Sequence, residues 1–361
     1  MGLHFHTLTV SDIRRETDDC VSVAFNVPEP LKPEFRFVQG QNITIRINLN
    51  GEELRRNYSI CTSPYEQELR VAIKAMPEGR FSTWANTVLK IGDTLEVLPP
   101  TGKFYTGLNA AEKKNYLAFA AGSGITPIIS IIKTTLQTEP LSHFTLVYGN
   151  RNRRSIIFRE ELESLKNKYM DRFQLIHILS REESESQILF GRIDQEKCAA
   201  LSRSIVPIHQ YNDVFICGPE EMIFSIKKFL ESRSYSQDHI HYELFTTPTA
   251  HHMVEELSHN EQKEAQTTRS NIQVKIDGII TRFELSAQGD TILNAALKHG
   301  ADLPYACKGG VCSTCRAKLV EGRVEMDVNY ALEKDEVEAG FILTCQSHPL
   351  TNNVYVDFDQ R

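Results

Sequence analysis

The sequence has no apolar run near the ~18–20 residues needed to cross a bilayer. Its longest apolar stretch, Tyr116 to Ile132, is broken by Gly122, Ser123, Gly124, Thr126 and Pro127. The opening Met1-Gly-Leu-His-Phe-His6 lacks both the hydroxyl residue of a myristoylation signal and a signal-peptide hydrophobic region. These absences predict a cytoplasmic chain with no membrane association. Excess positive charge is also missing. With 40 basic and 47 acidic residues the net charge is −7, which argues against a general nucleic-acid binder. Cysteine is too sparse for a disulfide scaffold, at eight in 361 residues. Four are scattered (Cys20, Cys61, Cys198, Cys217) and four are clustered late (Cys307, Cys312, Cys315, Cys345). In a cytosolic chain such a cluster suggests a metal site before it suggests disulfides.

What is present is an ordinary globular mixture, 41% hydrophobic and 24% charged, long enough for two or three domains. Residues 1–108 are rich in short alternating or β-branched runs, such as Val21 to Phe25, Asn42 to Ile47 and Leu69 to Ile73. They predict a small antiparallel β-barrel. Residues 109–245 alternate apolar strands with helical segments, which predicts an α/β domain on a parallel sheet. Residues 246–270 are polar, include His251 and His252, and read as a flexible linker. Strand patterns return in 271–361, with a helix from Thr291 to His299 stopped by Gly300. This last zone holds 9 basic and 13 acidic residues, so acidity is biased toward the C-terminal part.

Cys307-Lys-Gly-Gly-Val-Cys312-Ser-Thr-Cys315 is C-x4-C-x2-C, with Cys345 after 29 further residues. This is the plant-type [2Fe–2S] spacing. A short loop supplies three thiolates, and Gly309 and Gly310 let main-chain amides turn toward sulfur without a Cβ clash. The fourth ligand is expected on a separate strand. The competing reading is zinc, which usually takes two C-x2-C knuckles where only one is present.

Two further constellations point to nucleotide cofactors. Arg56-Asn-Tyr58-Ser59 falls on a barrel strand. Alternation puts Arg56 and Tyr58 on one face, a cation for a pyrophosphate and a ring for an isoalloxazine, with Ser59 bonding the flavin edge. Gly79-Arg-Phe-Ser82 follows a strand and opens a helix, where amides and the helix dipole favour a pyrophosphate. The bland alternative is a core tyrosine beside a surface arginine. Farther on, Gly122-Ser-Gly124-Ile-Thr126-Pro127 joins a strand to a helix and departs from G-x-G-x-x-G, because Pro127 stands where the last glycine would be. A plain tight turn is the alternative there. Ser180-Arg181 ends a strand, and a hydroxyl beside a guanidinium there can hold a 2′-phosphate, favouring NADPH; an exposed arginine is the alternative. Cys217-Gly218-Pro219 ends another strand and could abut the nicotinamide, or Cys217 is a buried structural thiol.

Taken in order, these motifs cover nearly the whole chain. They resemble the ferredoxin–NADP reductase superfamily with a fused C-terminal plant-type ferredoxin. The likeness extends to Tyr148-Gly-Asn-Arg151, Gly191-Arg-Ile-Asp194 and Asp302-Leu-Pro-Tyr-Ala-Cys307. It implies a β-grasp fold for residues 271–361. It implies FAD on Arg56, Tyr58 and Ser59, with Val71, Ile73, Lys74, Gly79, Arg80, Phe81 and Ser82 completing the site. NADPH would lie on Gly122, Gly124, Thr126, Pro127, Arg151, Ser180, Arg181, Cys217, Gly218 and Pro219. Tyr58, Ser59, Cys217 and Glu243 would stand at the reacting centre, and Glu243 or Phe245 would lie near the isoalloxazine. The four clustered cysteines would ligate the iron. The implied electron path runs from NADPH through FAD and [2Fe–2S] to a di-iron oxygenase partner, with the linker letting the ferredoxin domain swing. The rivals are a reductase for another oxygenase or for a hybrid-cluster protein, a redox sensor that transfers no hydride, and a zinc-stabilised module.

Overall fold

A computed structural model describes residues 4–183, 186–245 and 269–360. The expected linker falls almost wholly outside the described residues, His251 and His252 included; its residues 269 and 270 open a strand. The contacts divide the chain into two units. One holds Thr7–Leu54 and Tyr58–Phe245, and the other holds the C-terminal sheets.

In the first unit, six strands form an antiparallel sheet: β1 (His6–Thr17), β2 (Cys20–Asn26), β3 (Asn42–Leu49), β4 (Glu52–Ser59), β5 (Leu69–Lys74) and β6 (Thr94–Val97). Their order is β4-β3-β6-β1-β2-β5, and an antiparallel bridge from Ile60 to Val71 joins the two edges into a barrel. The alternating inward residues (Leu8, Val10, Val23, Ile43, Ile45, Val71, Ile73, Val97) fill the interior. Helix α1 (Arg80–Thr87) lies against the barrel and contributes Phe81 and Ala85 to the same core.

The same unit contains five parallel strands, β7 (Asn115–Ala121), β8 (His143–Asn150), β9 (Phe173–Leu179), β10 (Asp213–Gly218) and β11 (Ile240–Leu244), in the order β11-β10-β7-β8-β9. Near-continuous apolar runs such as Tyr116 to Ala120 belong in a parallel sheet covered on both faces. The covering helices are α2 (Ile125–Thr138), α3 (Arg159–Lys168), α4 (Gln195–Ser204) and α5 (Glu220–Ser232). The order reverses between β7 and β10, so the crevice beyond their carboxyl ends is the switch point where such sheets bind ligands.

The second unit contains a five-stranded mixed sheet of order β13-β12-β18-β14-β16. Its members are β12 (Arg269–Ile276), β13 (Ile279–Ser286), β14 (Arg316–Glu321), β16 (Phe341–Leu343) and β18 (Asn353–Asp357). Hairpin β12–β13 is antiparallel and β12–β18 parallel. Helix α6 (Ile292–Lys298) packs Ile292, Leu293 and Ala296 into the core with Val274, Ala317 and Val356, which is the expected β-grasp. A two-stranded ribbon, β15 (Val324–Met326) with β17 (Ser347–Pro349), stands beside it. Among the described residues, no helix is long and apolar enough to cross a membrane.

Candidate cofactor and electron-transfer sites

The nicotinamide motifs meet at the switch point. Gly122–Gly124 forms a single turn between β7 and α2. A Cβ on Gly124 would stand 2.1 Å from the Cys217 carbonyl oxygen and 2.8 Å from Gly218 N, so only glycine lets α2 start against the end of β10. The turn is braced from two sides. The buried Tyr148 hydroxyl donates to the Gly122 carbonyl at 2.9 Å, and Thr126 Oγ1 donates to the Ser123 carbonyl at 3.1 Å. Thr126 therefore shapes the turn from within. Arg151, Ser180 and Arg181 come together at the ends of β8 and β9, where Ser180 N donates to Asn150 O at 2.9 Å and Arg181 N to Arg151 O at 2.8 Å. Pro219 is the N-cap of α5. The Cys217 thiol is fully buried, and desolvation with the nearby Glu243 carboxylate pushes its ionisation well above the usual range. It is a neutral, shape-defining group.

The flavin motifs sort into two kinds. Arg56 is exposed and Tyr58 half-buried on β4, with the Tyr58 ring centroid 5.6 Å from that of Phe81. Phe81 is itself fully buried and tilted against Trp84, so it supports the Tyr58 ring from the core side. Val71 and Ile73 point into the barrel core with no exposed surface, which leaves only their main chain for a ligand. Arg80 spends its guanidinium on Glu52 and the Leu49 carbonyl. Gly79 and Ser82 make a tight cradle: Ser82 Oγ accepts from Met76 N at 3.1 Å and donates to Gly79 O at 3.1 Å. A Cβ on Gly79 would lie 2.4 Å from that hydroxyl. Lys74 Nζ pairs with Asp19 at 3.6 Å and is 3.8 Å from where a Gly122 Cβ would stand, which brings the flavin strand to the nicotinamide turn.

Glu243 links the two halves. It sits on β11 in register with Cys217 on β10. Ser59 Oγ donates to Glu243 Oε2 at 3.0 Å, and Asn42 Nδ2 approaches Oε1 at 3.5 Å. The residue is half-buried, and desolvation lifts its pKa from 4.5 to about 7 against the pull of those two donors. Phe245, the other expected neighbour of the flavin, is 40% exposed. Asn42 was invisible as a site residue in the sequence. Thr101 Oγ1 donates to its Oδ1 at 3.3 Å, and Gly102, at φ +108°, leaves room for its amide, since a Cβ there would be 2.8 Å from Nδ2.

The cysteine loop closes as its spacing requires. Cys312 Sγ lies 3.1 Å from Cys307 Sγ, and Cys345 interacts with both Cys307 and Cys315. Gly309 N donates to Cys307 Sγ at 3.3 Å. Gly310, at φ +71°, could carry no side chain, since a Cβ would meet Val328 at 2.9 Å. Lys308 also adopts a left-handed conformation, φ +53°, which the sequence did not signal. Cys345 does not lie on a strand as expected. It stands in the turn between β16 and β17, and Thr344 ties that turn to the loop, donating from N at 3.3 Å and from Oγ1 at 2.9 Å to the Cys315 carbonyl. The strand ends at Leu343, and the chain turns there so that Cys345, still within the core, lies against Cys315 and Cys307. One close sulfur pair with an amide aimed at it, and two further thiols on turns tied together by Thr344, supply the donor set of a [2Fe–2S] cluster.

Comparison with known proteins agrees with this reading. Models of the oxidoreductase FAD-binding domain, the oxidoreductase NAD-binding domain and the 2Fe-2S iron-sulfur cluster binding domain match residues 7–105, 119–228 and 274–350. The chain is 47% identical to a component of the 1,2-phenylacetyl-CoA epoxidase of Escherichia coli (strain K12), covering 99% of this chain and 98% of that one. It is 33% identical to the ferredoxin reductase component of 3-ketosteroid-9-alpha-monooxygenase of Rhodococcus rhodochrous, over 97% of this chain and 96% of that one. Among solved structures, phthalate dioxygenase reductase shares the fold over 98% of both chains, at 22% identity and a TM-score of 0.57. An intact type IV self-sufficient cytochrome P450 monooxygenase does so at 21% identity and a TM-score of 0.68, with 98% of this chain spanning 41% of that one. Fold and sites define a modular oxidoreductase that binds FAD, a nicotinamide dinucleotide and a [2Fe–2S] cluster. The chain belongs to the ferredoxin–NADP reductase superfamily, in the group with a fused plant-type ferredoxin that serves oxygenases as their reductase.

Proposed function

We infer that this reductase draws on NADPH and supplies a di-iron oxygenase that epoxidises phenylacetyl-CoA, in the cytoplasmic breakdown of phenylacetate under aerobic conditions. The 47% identity over nearly the full length of a phenylacetyl-CoA epoxidase component supports that partner above the ketosteroid oxygenase, whose reductase is 33% identical. The four cysteines outside the cluster loop, Cys20, Cys61, Cys198 and Cys217, are buried free thiols, which suits a reducing compartment.

One observation carries the chemistry: Glu243 joins Ser59 on the flavin strand to Cys217 at the nicotinamide edge. Bound FAD would supply the conversion between the two-electron hydride of NADPH and the single electrons that an iron–sulfur cluster carries. The chain's residues prepare that exchange. The Gly79–Ser82 cradle would take the FAD pyrophosphate, and Tyr58 would support its ring system. Gly122 and Gly124 admit the dinucleotide backbone, and Arg151, Ser180 and Arg181 hold its phosphates. Cys217 and Gly218, packed against Gly124, would border the nicotinamide. Glu243, poised near neutrality, accepts the hydrogen bond of the Ser59 hydroxyl and can hold a proton at this junction. Cys307, Cys312, Cys315 and Cys345 ligate the cluster.

The test is NADPH consumption with the purified phenylacetyl-CoA oxygenase, with and without phenylacetyl-CoA. Substrate-dependent oxidation that yields the epoxide is the expected result. Reduction of the chain without transfer to that oxygenase would overturn the partner assignment.

A further inference from the structure

We propose that Gln346 positions the cysteine loop and raises the reduction potential of the cluster through a side-chain N–H···S bond. This rests on the four-cysteine reading above. Gln346 is 1% exposed and directly follows Cys345 in the β16–β17 turn. Its Nε2 lies 2.9 Å from the Lys308 carbonyl, 2.9 Å from the Cys345 carbonyl and 3.7 Å from Cys345 Sγ. The two nearest acceptors are carbonyl oxygens, which places the amide nitrogen, not the oxygen, on this side. Two hydrogens therefore serve three acceptors, one of them a ligand sulfur.

Each contact has a consequence. Lys308 sits between Cys307 and Gly309 in a left-handed conformation, and a bond to its carbonyl holds that strained peptide in place. The Gln346 stem packs under the loop, 3.1 Å from where a Gly310 Cβ would stand. One buried side chain thus ties the loop bearing three cysteines to the fourth. The N–H directed at sulfur favours the more negative, reduced cluster, because an oriented dipole stabilises added charge most where water is excluded. No spacing motif marks Gln346, since its role depends on reaching back 38 residues.

Two variants of the intact holoprotein test this. Gln346→Met keeps the length of the side chain and removes the donor. Gln346→Glu keeps the shape and puts an acceptor beside sulfur. Redox titration followed by the electron paramagnetic resonance of the reduced cluster should show midpoints more negative than wild type, with Glu the more shifted. The expected size is about tenfold in the one-electron equilibrium, ~59 mV. A Met variant with full cluster content and an unchanged midpoint would overturn the proposal. If the Met variant fails to assemble, the wild-type chain labelled with nitrogen-15 in its glutamine side-chain amides decides. A nitrogen-15 coupling to the reduced cluster supports the bond, and its absence refutes it. A wild-type chain without the visible absorbance of an iron–sulfur cluster would instead overturn the four-cysteine reading itself.

Discussion

Replacing Glu243 with glutamine removes the one carboxylate that joins the flavin strand to the nicotinamide edge, and it should make the protein more stable in alkali. Folding lifts this group's pKa from 4.5 to about 7, because its carboxyl end is desolvated more than Ser59 and Asn42 can offset. Between those values the folded state holds a proton that the unfolded chain has released. Stability therefore falls as pH rises through this window and is lowest above about pH 7. At about 1.36 kcal/mol for each pH unit of displacement, ionised Glu243 costs the fold about 3 kcal/mol at pH 8.5. Glutamine never ionises, so E243Q should match wild type within about 1 kcal/mol at pH 5 and exceed it by about 3 kcal/mol at pH 8.5. The chain has a single tryptophan, Trp84, on helix α1 of the flavin–nicotinamide unit. Its fluorescence during urea unfolding, in the same FAD excess for both proteins, reports that unit alone. A difference between variant and wild type that is the same at both pH values would refute the argument. The same substitution should flatten the pH dependence of NADPH-driven flavin reduction near neutrality.

Three other outcomes follow from the sites. Cys312→Ser should abolish electron delivery to the oxygenase while sparing NADPH-dependent dye reduction; equal loss of both with FAD still bound would contradict separate sites. Gly124→Ala would force a Cβ into the Cys217 carbonyl, 2.1 Å away, so α2 must shift. The KM for NADPH should rise at least about tenfold with FAD content unchanged, since misplacing a binding turn by ~1 Å is costly. Arg181→Ala should raise the KM for NADPH by roughly tenfold, the worth of one charge-assisted hydrogen bond, and leave that for NADH unaltered. A parallel rise for both cofactors would remove Arg181 from the 2′-phosphate site.

How far the sequence alone reaches depends on the length scale of each feature. The cysteine loop was legible because three ligands lie within nine residues and their spacing is set by the cluster's own size. The Gly122–Gly124 turn was legible because a tight strand-to-helix junction demands glycine locally. The barrel and the parallel sheet announced themselves through alternating and continuous apolar runs, which record whether one or both faces of a strand are covered. The mount of Cys345 was misjudged, since its β-strand ends at Leu343 and the ligand occupies the following turn. Nothing in the sequence placed Phe81 behind Tyr58 or engaged Arg80 with Glu52, because those contacts depend on how α1 lies on the barrel. The same holds for the reacting centre. Glu243 meets Asn42 across 201 positions and Ser59 across 184, and no short-range pattern encodes such pairs. The sequence determined which chemical groups are available and which cofactors their spacing suits. Tertiary structure decided which groups meet and how much water reaches them, and so the charge each one carries.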